Sequence, residues 1–120
     1  MDVRLKRFKA TLLAELEDIL EDIDHVEARY RSEFERLKVS QYVFLENVAL
    51  LEKEADCVRL LMDELAKIDD SGIKDAEEYA GMVRDLVRTR VSEMEYPQAI
   101  ERFVDRKIRK ALRHAGGHQE

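Results

Sequence analysis

Tryptophan is absent from the 120 residues, cysteine and proline occur once each, and there are only four glycines. Each scarcity excludes something. With Cys57 alone, no intrachain disulfide can form and nothing points to an oxidising compartment. Gly72, Gly81, Gly116 and Gly117 never fall at the spacing of a nucleotide-binding loop. Aromatic residues make up 7% of the chain, so a core must be built mainly from Leu, Val, Ile and Ala. No run approaches the roughly 18 apolar residues of a membrane span, and no apolar stretch long enough for a secretory signal follows the basic N-terminal residues. The expectation is a soluble, cytoplasmic protein.

What is abundant is charge, at 40%, interleaved with 45% hydrophobic residues, the balance of long amphipathic helices. Twenty-one basic against 27 acidic side chains leave a net charge of −6, which argues against a uniform nucleic-acid coat. The charge is uneven. Arg4, Lys6, Arg7 and Lys9 make the start basic, and six Arg and Lys residues between 101 and 113 make the end basic.

From Val3 to Asp69 there is neither glycine nor proline, the two strongest breakers of regular structure. Leu5, Leu12, Leu16, Ile19, Ile23, Val26, Tyr30 and Leu37 follow helical spacing, widened by Leu13, Leu20 and Phe34. A second stripe runs through Phe44, Val48, Leu51, Ala55, Val58, Met62 and Leu65, flanked by Val43, Leu50 and Cys57 on one side and by Leu61 and Ile68 on the other. The two stripes are one residue out of phase. Continuing the first would bring Ser40, Asn47 and Glu54 to the core, so the spacing predicts a tight turn near 38–41 with Ser40 as the cap of the second helix. Ser32 with Glu35 is a rival capping pair. One unbroken helix with a stutter, on the order of 100 Å long at 1.5 Å per residue, is the competing arrangement.

Asp69-Asp70-Ser71-Gly72 reads as a loop in which Gly72 supplies positive φ. Asp75, followed by Glu78, caps a third helix with Ala76, Tyr79, Ala80, Val83, Leu86, Val87, Val91 and Met94 on its apolar face. Pro97 suits the first turn of a fourth, whose face holds Ile100, Phe103, Val104, Ile108, Ala111, Leu112 and Ala115. The expectation is an all-α, up-down four-helix bundle in a single domain over residues 1–115. Its helices would run over about 3–37, 41–69, 75–94 and 97–115, the two long N-terminal ones forming a hairpin, with 116–120 as a flexible tail. Unequal lengths would leave part of the long pair uncovered, which a second copy of the chain would hide most simply.

Little here points to catalysis. Di-iron bundles need paired Glu-x-x-His sets; Asp22 precedes His25 at the right spacing, but neither His114 nor His118 has a carboxylate three residues before it. No metal and no cofactor is expected. Cys57 lies on an apolar flank without a nearby His, as an inert buried thiol would. Glu15, Glu17, Asp18, Glu21, Asp22, Asp24 and Glu27 read as the solvated faces of the first helix. Glu15, Asp18 and Asp22 would have to find a matching pair on another helix to hold Mg²⁺ in a carboxylate-dependent metal hydrolase. The sharpest polar feature is on the fourth helix. Arg102, Arg106, Arg109 and Arg113 recur at spacings of four, three and four, with Lys107, Lys110 and His114 beside them. Guanidinium groups suit bidentate contacts to carboxylate or phosphate. The stripe is therefore the candidate binding surface for an acidic protein partner or nucleic acid, unless it pairs with the acidic first helix.

Residues 16–27, 42–61 and 81–87, about a third of the chain, resemble the HEPN domains, small dimeric helical bundles that include ribonucleases and partners of minimal nucleotidyltransferases. Arg84-Asp85 matches the start of that family's ribonuclease motif, while Arg88 and Arg90 stand where its His is expected. The resemblance implies a degenerate, RNA-associated or toxin–antitoxin-type protein. The residues themselves favour a non-enzymatic, homodimeric helical interaction or assembly module.

Overall fold

The computed structural model describes residues 3–116, which form four helices: α1 (Val3–Glu35), α2 (Gln41–Ala66), α3 (Ala76–Met94) and α4 (Ala99–Ala115). They pack as a four-helix bundle. The chain turns between α1 and α2, so the phase slip marks a helix boundary and not a stutter. Ser40 is extended (φ −74°, ψ 160°) and its Oγ accepts from Val43 N–H at 3.2 Å, satisfying one donor of the first turn of α2. On the other side of the turn, Leu37 adopts φ 60°. Lys38 N–H donates to Glu33 O at 2.9 Å and Leu37 N–H to Phe34 O at 3.0 Å, the paired bonds of a Schellman stop. Leu37 is thus a turn residue, 89% exposed, and not the core position that its spacing predicts.

Asp75 caps α3 as expected, its Oδ1 accepting from Glu78 N–H at 2.8 Å, while Glu78 reaches back to Lys74 N–H at 2.6 Å. The loop before it closes without the positive φ expected of Gly72. Asp69 Oδ1 accepts from Ser71 N–H and Asp70 O from Ile73 N–H, and a turn held that way needs no left-handed residue. The left-handed residue after α3 is Glu95 (φ 54°), and Met94, the last helical residue before it, is half exposed and not part of the core. Gly116 N–H closes α4 on Leu112 O. The rest of the expected C-terminal tail, 117–120, lies outside the described residues.

α1 is the central element, packed along one side by α2 and along the other by α4; α3 lies chiefly on α4. The core gathers Leu5, Leu12, Leu16 and Ile19 of α1, Val58 and Leu61 of α2, Tyr79 and Val83 of α3, and Ile100, Val104 and Ile108 of α4. Phe8, absent from the predicted stripe, is fully buried and meets Tyr79 edge-on at 5.9 Å and 78°.

The buried members of the core end at Ile23 on α1 and Leu51 on α2, with Val26 and Tyr30 packed partly buried against its edge. Above that level α1 and α2 continue alone as an arm, because α3 and α4 are too short to follow: α1 is about 50 Å long and α4 about 25 Å. Phe34 and Phe44 hold the arm together, stacked at 4.6 Å and 11°, with the Arg31 guanidinium 5.7 Å from the Phe44 ring.

Candidate interaction surfaces

The arm carries most of the misplaced apolar surface. Leu37, Tyr42, Val43, Leu45 and Leu50 are five of the nine large hydrophobic residues exposed among those described, and all fall within fourteen positions of one another. Scattered exposed apolar residues are ordinary; a concentration at one end is not. Sequence periodicity marked Val43 and Leu50 as a flank of α2 but could not show that nothing covers them, since that depends on where α3 and α4 end.

At the foot of the arm, α1, α2 and α4 enclose an open groove of about 740 Å³. Its floor is apolar, made by Ile19, Ile23, Val26, Leu51 and Phe103. One wall is cationic, with Arg106, Lys107, Lys110 and Arg113 on α4; the facing wall carries Asp22 and Glu54. Glu54 is partly buried, has no ion pair among the described residues, and burial raises its carboxyl above the usual range.

The predicted basic stripe divides into two roles. Lys107 and Lys110 turn to Glu15, their ammonium groups 2.9 and 3.0 Å from its two carboxylate oxygens. The Lys107 hydrogen bond holds the Glu15 carboxyl below the ordinary range, although burial acts against it. Glu15 is 8% exposed, so it is a core ion and not the solvated face residue expected of it. Its oxygens are taken by ammonium groups, and among the described residues no cluster of His, Cys, Asp or Glu is arranged to hold a metal ion. The four arginines stay outside. Arg109 meets Asp105 at 3.2 Å and Arg106 lies 5.3 Å from the Phe103 ring. Arg102 and Arg113 are exposed without an ion pair among the described residues.

The other candidate residues are committed to the fold. Arg84 donates to Asp105 at 2.7 Å, joining α3 to α4, and Arg90 makes two 2.6 Å bonds to Glu64, joining α3 to α2. Arg88 meets Asp85 on its own helix. Cys57 is fully buried and burial pushes its thiol up to about 11, which suppresses the thiolate at neutral pH. His25 and His114 are exposed on separate helices. Among the described residues, no helix is long and apolar enough to cross a membrane. Neither protein-family models, nor curated proteins, nor solved structures give a significant match to the chain.

Proposed function

We propose that the protein is a non-enzymatic helical assembly module that self-associates through its arm and offers the arginines of α4 to an acidic partner or nucleic acid. The observation that carries this reading is the uncovered arm, on which Leu37, Tyr42, Val43, Leu45 and Leu50 are all exposed, Val43 and Leu50 on one face of α2. The chain exposes 7804 Å², against roughly 6,700 Å² for a compact monomer of 14.1 kDa. The excess, on the order of 1,000 Å², reflects the elongated shape, 54 × 34 × 19 Å, that the projecting arm gives the molecule.

Replacing Leu45 and Leu50 by Glu tests the first half. Both positions are exposed, so the variant should keep its helicity and elute later than the wild type on gel filtration. An unchanged elution volume would remove the arm from the account. The second half is tested by changing Arg102, Arg106, Arg109 and Arg113 to Glu and comparing capture of cell proteins and RNA with the wild type. Equal capture would leave the stripe a purely structural feature.

A further inference from the structure

The apolar strip of the arm and the apolar floor of the groove lie on one face of the hairpin. Val43, Asn47, Leu50 and Glu54 are spaced by four, three and four on α2, so they share a helix face, and Glu54 is a groove residue. Ile19, Asp22, Val26, Arg29 and Glu33 are spaced by three, four, three and four on α1, and the first three of these also line the groove. That face therefore runs without interruption from the groove into the arm. Its lower half bears the cations Arg106 and Arg113 together with the carboxylates Asp22 and Glu54. Its upper half bears Glu33 and Arg29, with Glu46 at its edge.

Such a face is complementary to itself when turned end for end. A two-fold axis near Ile23 and Leu51, which adjoin in the groove, would lay two hairpins antiparallel, each arm across the other copy's groove. Leu50 and Val43 would then meet the apolar floor, Glu33 and Glu46 would approach Arg106 and Arg113, and Arg29 would approach Asp22. Among the described residues, Arg29, Glu33, Asp22, Glu54 and Arg113 have no ion pair of their own, and Arg106 has only its ring contact. Isologous contacts of this kind are the commonest way for two identical chains to close. The arm from Gln41 to Leu50 rises ~14 Å, enough to span the ~10 Å of the α4 wall from Arg106 to Arg113.

We infer that the groove between α1, α2 and α4 is the docking site for the arm of a second copy, in a reciprocal antiparallel dimer steered by opposite charges at the two ends of one face. This rests on the assembly reading above and makes the second copy the acidic partner of Arg106 and Arg113.

The reciprocity gives a direct test. One variant carries Arg106→Glu with Arg113→Glu, an acid groove; another carries Glu33→Arg with Glu46→Arg, a basic arm. Arg106, Arg113 and Glu46 are exposed and Glu33 is partly so, and circular dichroism checks that each variant folds. Each alone brings like charges together and should dissociate at least tenfold more readily than the wild type in sedimentation equilibrium. Mixed in equal amounts, both contacts again join opposite charges, so a heterodimer should form with affinity near the wild type's. If neither variant weakens the dimer, or both do and mixing restores nothing, the groove is not the arm's seat. Should the arm substitutions at Leu45 and Leu50 still dissociate the dimer in that case, assembly through the arm survives and only this docking mode falls. A wild type that stays monomeric at every concentration overturns both and leaves the groove to a different acidic helix.

Discussion

Glu15 and Lys107, 92 positions apart in the chain, meet at 2.9 Å inside the bundle and tie α1 to α4. Lys110 completes the set from one turn further along, at 3.0 Å. Truncating Glu15 strands two ammonium groups, one of them three-quarters buried, and the loss is the desolvation cost of those charges more than the worth of the bond. Glu15→Ala should lower stability by about 2 kcal/mol in urea denaturation. Lys110, more exposed, can turn its head to water, so Lys110→Met should cost well under half as much.

The same carboxylate sets part of the acid limit. Glu15 is held below its ordinary value chiefly by Lys107, and Glu64 by Arg90. A carboxyl depressed in the folded state contributes stability that is fully present above its unfolded value, near 4.5, and is lost as pH falls through the folded value. The urea midpoint should therefore hold from pH 7 to about 5 and drop below that. Glu15→Gln should lower the plateau and flatten the drop.

Glu95 ends α3 in the left-handed region, where a side chain costs roughly 1 kcal/mol relative to glycine, and it places a negative charge at the negative end of the helix dipole. Glu95→Gly should therefore raise stability by about 1 kcal/mol without touching the arm or the groove. No gain in the thermal midpoint would mean that the surrounding turn already compensates the strain.

Much of the helix layout is written locally. The phase slip, Ser40 and Asp75 identify two boundaries because a cap is a contact between residues three apart. What depends on packing or on an unannounced turn is not written there. Leu37 and Met94 fit the apolar spacing but sit at helix ends whose left-handed turns carry no glycine to announce them. Glu15 looked like its acidic neighbours, since only the crossing of α4 over α1 buries it. The groove has the same origin: Leu51, Ile23 and Phe103 belong to three separate stripes, and their meeting is a property of packing. The arginine stripe was legible as a spacing, but its split into inward lysines and outward arginines was not.

Cys57 offers an independent check of the core. With the thiol buried and pushed to about 11, a disulfide reagent at pH 8 should modify the native protein at least a hundredfold more slowly than the urea-unfolded chain. Rapid labelling in the native state would mean that α2 and the α3–α4 turn separate easily.

The central claim is that the uncovered arm serves assembly. Sedimentation equilibrium of the wild-type chain over a wide concentration range measures this most directly. The account predicts a weight-average mass that climbs from 14.1 kDa toward twice that value and levels off there, as a closed two-fold contact requires. A mass fixed at 14.1 kDa throughout, with the arm's leucines still in water, would contradict it.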